Sequence, residues 1–186
     1  MTVDWAAVRA DFPILRREID GAPIVYLDSG NTSQKPRQVL DTMDEFARTG
    51  YAPINRSAYR LAGEATDRFE AARSAVARFV NAPQADEIVF TKNATEALNL
   101  VASSWGGTNL AEGDVVVLTH MEHHANIVPW QMLAAQRGIE IRWIPLTDDG
   151  QLDLSDLDQL LDGALTNRAT AVRAPSYRSV ASAASR

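Results

Sequence analysis

All three histidines of the chain lie in one eight-residue segment, T-H-M-E-H-H-A-N at residues 119–126. A histidine can transfer protons, bind a metal ion or stack on an aromatic cofactor. The segment follows the apolar run 115–118, which is typical of a buried strand. Because ligands of α/β proteins bind outside the carboxyl ends of the strands, the segment is a candidate binding site.

The spacing of these histidines does not match a zinc motif. The sequence contains no H-E-x-x-H pattern and no cysteine, so we expect no metal site. In an extended strand end, His120 and His124 would point one way and His123 the other. Two alternatives remain: a ring that stacks on a planar cofactor, and polar side chains that only hydrogen-bond the loop.

A second candidate is T-K-N-A-T-E at residues 91–96, between a predicted strand and a predicted helix. The unpaired N–H groups at a helix N-terminus suit a phosphate, and Thr95 adds a hydroxyl. Alternatively, Asn93 caps the helix and Glu96 completes a capping box. The local pattern by itself favours the cap.

A third candidate is the turn in L-D-S-G-N-T-S-Q-K-P at residues 27–36. Gly30 lacks a Cβ, so a substrate could approach the backbone closely at this point. The same pattern is equally typical of an ordinary turn between a strand and a helix.

Hydrophobic periodicity predicts helices that alternate with strands, and so an α/β fold with a mainly parallel sheet flanked by helices. The second long helix carries a predicted apolar stripe of Phe69, Ala72, Val76 and Phe79. The predicted helices are 4–11, 36–49, 63–79, 94–105, 127–137 and 156–161. The predicted strands are 24–27, 87–90, 115–118 and 139–145.

Composition limits the classes of partner. The 186 residues suffice for one domain with a hydrophobic core, and the net charge of −6 argues against nucleic acid and anionic membranes. No apolar run has membrane-spanning length, so we expect a cytoplasmic protein. Lysine-dependent chemistry would have two candidates in this sequence, Lys35 and Lys92.

Several segments together resemble the SUF-type cysteine desulfurases, which belong to class V of the fold-type I pyridoxal-phosphate (PLP) enzymes. The last matching segment is the most specific, since every residue fits the family signature in order. The matching segments are D-F-P-I-L at 11–15, Y-L-D-S at 26–29, S-Q-K-P at 33–36, E-I-V-F-T-K-N-A-T-E-A-L-N-L-V-A at 87–102 and M-E-H-H-A-N-I-V-P-W-Q at 121–131.

The resemblance implies an incomplete large domain of a PLP-dependent transferase over residues 1–162. Residues 163–186 contain no acidic residue and would form a divergent, disordered tail. His123 would stack on the PLP ring and take part in proton transfer, while Thr95 and the backbone of Ala94 would hold the phosphate. The residues implied for substrate binding are Gly30, Asn31 and Arg56.

The resemblance also implies an activity. Such enzymes take sulfur from L-cysteine, leave alanine, and pass a persulfide to a sulfur-acceptor protein for iron–sulfur cluster assembly. They are homodimers. The PLP-binding lysine and the persulfide-forming cysteine of the family have no counterpart in this sequence, so we expect a truncated chain that is inactive alone. The alternatives are a non-catalytic binding or dimerisation module and part of a selenocysteine lyase-like enzyme.

The sequence departs from the family pattern in places that leave the subgroup open. Asn31 replaces a usual alanine, Asn55 and Tyr59 replace frequent histidines, and Ala94 stands where threonine is common. A family asparagine that meets the cofactor is replaced within R-A-P-S-Y-R-S-V near the end of the chain.

Overall fold

The computed structural model describes residues 2–54 and 58–162 of the chain. Contacts between residues divide it into two units, the first ending at Val89 and the second beginning at Phe90. The predictions for Arg56 and for residues 163–186 lie outside the described residues.

The first unit is mainly helical. Asp4 caps its first helix, because one carboxylate oxygen accepts the N–H groups of Ala6 and Ala7 at 3.1 Å each. The second helix follows Pro36 and ends before Gly50, as predicted. The elements are α1 Trp5–Ala10, a 3₁₀ turn Pro13–Arg16, β1 Glu18–Ile19, β2 Ala22–Pro23, α2 Arg37–Thr49, α3 Arg60–Val80 and a 3₁₀ turn Ala85–Glu87.

Helix α3 buries a face made largely of alanine. Ala62, Ala65 and Ala77 are its buried residues. The predicted stripe is partly wrong, because Ala72 is exposed and Phe79 has 91% of its surface exposed. The helical spacing of these two residues is correct, but no element among the described residues covers them.

Two predicted strands are absent from the described residues. Segment 24–27 belongs to no strand, and Glu87 ends a 3₁₀ turn after which 88–90 join no sheet. In the first segment Ile24 and Tyr26 are half-buried while Val25 and Leu27 are exposed, which is still a strand-like alternation. A strand also needs a ladder of backbone hydrogen bonds, whereas in the described part of the chain the first segment has a single one to a neighbour, from the Ile24 N–H to the Arg17 carbonyl at 3.0 Å.

The second unit alternates helices with strands, as the sequence predicts. Strands β3 and β4 pair in parallel, from Val115 with Glu140 to Thr119 with Ile144. This confirms the predicted α/β class with parallel strands. The elements are α4 Ala94–Leu100, a π-helical turn Val101–Gly106, α5 Gly107–Asn109, β3 Val115–Thr119, a 3₁₀ turn His124–Asn126, α6 Val128–Arg137, β4 Glu140–Ile144 and α7 Leu157–Asp162.

The second unit has a hydrophobic core that includes Val116 and Leu118 of β3. Buried Asp114 accepts the N–H of Ala111 at 2.8 Å and thereby holds the turn that leads into this strand. The core residues are Ala102, Leu110, Val116, Leu118, Trp130, Leu133 and Ile139. No helix among the described residues combines the length and apolar character needed to cross a membrane.

Candidate functional site

A chain of side-chain hydrogen bonds orders the loop that follows β3. The Thr119 hydroxyl donates to one carboxylate oxygen of Glu122 at 3.1 Å, and the Asn126 amide donates to the other at 2.9 Å. The indole N–H of Trp130 donates to the Asn126 Oδ1 at 3.1 Å. Trp130 is only 3% exposed, so this series of hydrogen bonds connects the loop to the core.

His123 lies within this ordered loop, just before the 3₁₀ turn. Its Nδ1 accepts the backbone N–H of Ala125 at 3.1 Å. An accepting Nδ1 carries no proton, so in the neutral ring the proton is on Nε2. The His123 side chain is exposed and its ring is therefore open to a ligand.

The other two histidines have different surroundings. The His120 ring lies 5.4 Å from the Trp143 ring between centroids, and the His124 ring lies 6.1 Å from that of His123. Since His124–Asn126 is a 3₁₀ turn, the alternation expected for a strand end does not apply. No group of three or more potential metal ligands is found within residues 2–54 and 58–162.

The start of α4 has the predicted cap in a modified form. Asn93 Oδ1 accepts the N–H of Glu96 at 2.9 Å, but the Glu96 carboxylate accepts the N–H of Lys92 at 2.6 Å rather than that of Asn93. The N–H groups of Ala94 and Thr95 and the Thr95 hydroxyl have no hydrogen-bond partner in the described part of the chain. The cap therefore leaves donors available for an anion.

Helix α4 packs against the turn His124–Asn126. Ala94 and Thr95 are the first residues of α4, and His123 directly precedes the turn that α4 contacts. The sequence predicted both segments as strand-end sites. It did not predict that they pack together, and residues 88–90, which precede segment 91–96, join no sheet in the described part of the chain.

Gly30 and Asn31 belong to the first unit, in a turn closed by Asp28. The Asp28 carbonyl accepts the N–H groups of Asn31 at 3.2 Å and Thr32 at 3.1 Å. The Tyr26 hydroxyl donates to the Thr32 carbonyl and, at 3.2 Å, to that of Asp28. A Cβ added to Gly30 would meet no atom within 4 Å, so the space outside the turn is open.

An open cavity of about 350 Å³ borders this turn. Its lining comes from the three N-terminal segments matched to the family, 11–15, 26–29 and 33–36. The sequence pattern identifies these three segments but contains no sign of the cavity. The lining residues are Phe12, Leu15, Tyr26, Ser29, Ser33 and Gln34.

Comparison with known proteins supports the resemblance. A cysteine desulfurase of Enterobacter sp. (strain 638) is 54% identical over 155 residues, which are 83% of this chain and 38% of that protein. The apo structure of a cysteine desulfurase from Thermococcus onnurineus NA1 matches with a TM-score of 0.76 and 38% identity, over 88% of this chain and 39% of that one.

A third match shows the fold alone. It is a mutant of C-DES with glycine covalently linked to its PLP cofactor, at a TM-score of 0.54 and 24% identity, over 74% of this chain and 33% of that one. The predicted resemblance to class V cysteine desulfurases is confirmed, although the matches do not specify the SUF type. Since the family model described as aminotransferase class-V matches residues 25–172, the chain belongs to that family.

Proposed function

We propose that this chain provides the phosphate-binding turn and the ring-facing histidine of a PLP-dependent cysteine desulfurase. The observation that carries the proposal is the set of unused donors at Ala94 and Thr95, on a helix that packs beside the His123 turn. The relatives described as cysteine desulfurases support the activity.

The residues present fit PLP. A phosphate is acceptor-rich and anionic, and the two N–H groups and one hydroxyl at the start of α4 offer three donors at the positive end of a helix. The exposed His123 ring offers a flat face to a pyridine ring. When bound, PLP supplies an electron sink for bond cleavage in an amino acid.

His123 has one nitrogen free for chemistry. Because Nδ1 accepts the Ala125 N–H, proton exchange with a ligand would occur at Nε2. The Ala125 contact also fixes the ring plane, which a stacking role requires.

The substrate side of the proposal concerns L-cysteine. Gly30 and Asn31 lie in an ordered, exposed turn beside a cavity, which supports their assignment to amino-acid binding. Arg56, the third residue, lies outside the described residues. A sulfur-acceptor protein, a homodimer and a cytoplasmic location remain predictions from the family.

Binding of PLP to the 186-residue chain tests the proposal. In Thr95→Val we expect PLP affinity to fall about 10- to 150-fold, since a hydrogen bond to a charged group contributes about 1.5–3 kcal/mol. Inorganic phosphate should compete with PLP for the wild type. Fluorescence titration with PLP measures both effects.

Thr108→Val is the matched control. Thr108 is an exposed threonine of α5, which continues the helical segment that begins with α4, and its hydroxyl donates to the Ser104 carbonyl. We expect this variant to bind PLP like the wild type. His123→Ala should weaken PLP binding, whereas His124→Ala should not. Equal affinities for Thr95→Val, Thr108→Val and wild type would refute the phosphate site.

A further inference from the structure

We propose that Asn126 is a positioning residue that holds the His123 ring in one orientation with its Nε2 outward. This inference rests on the proposed function, in which His123 faces PLP. The resemblance implies that Asn126 supports the loop, but it does not connect Asn126 to the orientation of the His123 ring.

Asn126 contacts the loop at three points. Its backbone N–H donates to the His123 carbonyl at 2.8 Å, which closes the 3₁₀ turn. Its side-chain amide donates to Glu122 at 2.9 Å, and its Oδ1 accepts from the Trp130 indole at 3.1 Å. The side chain therefore links the residue before His123 to a buried residue after it.

Both ends of this link are anchored. Trp130 is 3% exposed and belongs to the core, while Glu122 is held by the hydroxyl of Thr119, the last residue of β3. Rotation of the Asn126 amide would place oxygen against the Glu122 carboxylate and nitrogen against the indole N–H. Both contacts would then be repulsive, so the amide has one favourable orientation.

The consequence for His123 is a fixed hydrogen bond. The Ala125 N–H reaches Nδ1 only while the 3₁₀ turn keeps its shape. His123 itself is exposed, and the contact of its ring with the His124 ring, 6.1 Å between centroids, leaves most of its surface open, so packing gives the ring little support. Loss of the Asn126 side chain should release the turn and let the ring rotate and exchange its tautomers.

NMR of the ¹⁵N-labelled chain without PLP tests the inference. In the wild type we expect an unprotonated Nδ1 for His123 and slow hydrogen exchange of the Ala125 amide. In Asn126→Ala we expect that exchange to become about tenfold faster, the scale of one hydrogen bond. The amide of Val116, whose N–H points toward β4 in the parallel ladder, should exchange as before.

Two substitutions of Glu122 give a matched pair. Glu122→Gln keeps an acceptor for Asn126 and a polar group for the Thr119 hydroxyl, so it should retain the wild-type Ala125 exchange rate and His123 ring signals. Glu122→Ala removes both contacts and should resemble Asn126→Ala. This rescue by glutamine separates positioning from a change in volume.

Three outcomes would overturn the inference. The first is unchanged Ala125 exchange and His123 ring signals in Asn126→Ala. The second is acceleration of Ala125 and Val116 by the same factor, which would indicate general destabilisation. The third is the absence of rescue in Glu122→Gln. Because the spectra are recorded without PLP, they are independent of the PLP titration, and each proposal can fail separately.

Discussion

Single polar residues in this protein act mainly by satisfying backbone groups where an element begins. Asp4, Asn93 and Asp114 each accept backbone N–H groups at a helix start or a turn. Charged residues, in contrast, can connect two elements by pairing with each other. Glu45 and Arg68 join α2 to α3 through two hydrogen bonds, the shorter being 2.8 Å.

The Glu45–Arg68 pair should make stability depend on pH. The Arg68 guanidinium, and next the Thr49 hydroxyl, hold the pKa of Glu45 below its usual value. A lowered folded-state pKa stabilises the protein above the unfolded-state pKa, and this contribution is lost as pH falls through the folded-state value. Urea unfolding should therefore show wild type more stable than Glu45→Gln at pH 7, with the difference vanishing in acid.

Glu18→Gln provides the control, because Glu18 is exposed and has no ion-pair or hydrogen-bonding side-chain partner in the described part of the chain. Its substitution should give the same small effect at both pH values. The effect of Glu45→Gln should also shrink in high salt, since the pair is about half exposed. A difference that grows in acid would contradict the assignment.

Residue types predicted some of these contacts and missed others. The Asn93 cap was predictable, because asparagine before a helix has one good partner, the N–H three residues on. The partner of Glu96 was not, since its flexible side chain reaches Lys92 instead. The contact of His123 Nδ1 with Ala125 depends on a rotamer, which no spacing pattern encodes.

At the scale of elements, a glycine in the sequence can mark where a helix ends, because glycine readily adopts the left-handed backbone conformation found there. Gly138 ends α6 with φ +70°, a left-handed conformation that side chains with a Cβ rarely adopt. A Cβ there would also lie 3.1 Å from the Glu112 Cγ. Gly107, in contrast, has a helical φ of −60°, and a Cβ there would meet nothing within 4 Å.

Substitution of these two glycines should have opposite effects. We expect Gly138→Ala to lower the free energy of unfolding by about 1–2 kcal/mol, the cost of a left-handed alanine. Gly107→Ala should raise it by about 0.5–1 kcal/mol, since alanine favours the helix. Chemical denaturation of both variants measures the pair. Destabilisation by Gly107→Ala equal to that by Gly138→Ala would contradict the argument.

Strands were harder to predict than helices. A helix closes its hydrogen bonds within one segment, so Arg37–Thr49 and Val128–Arg137 appear where the pattern placed them. A strand depends on a second segment. The alternation at 24–27 correctly indicates one half-buried face, but it contains no information on a neighbour with which to pair.

At the scale of the whole molecule, composition limits the chemistry. The chain spans 38% of the length of its Enterobacter relative and contains no cysteine. A persulfide forms on a thiolate, so these 186 residues cannot form one themselves. PLP binding and persulfide formation are therefore separate properties here.

Incubation of the purified chain with PLP, L-cysteine and a reductant such as dithiothreitol, which reduces released sulfane sulfur to sulfide, tests this separation. We expect no sulfide and no alanine beyond the amounts that free PLP produces without protein. Sulfide can be measured colorimetrically and alanine by chromatography. Equal, protein-dependent release of the two products would show that the chain performs the reaction without a thiol of its own.

The pairing of β3 with β4 has a consequence for how this chain folds. Every pair joins residues 25 positions apart, from Val115 with Glu140 to Thr119 with Ile144. Closing the loop restricts the chain once, and the entropy cost of closure rises only slowly with loop length. The other pairs then form without closing another loop, so the ladder can extend rapidly from its first contact, as a zipper does.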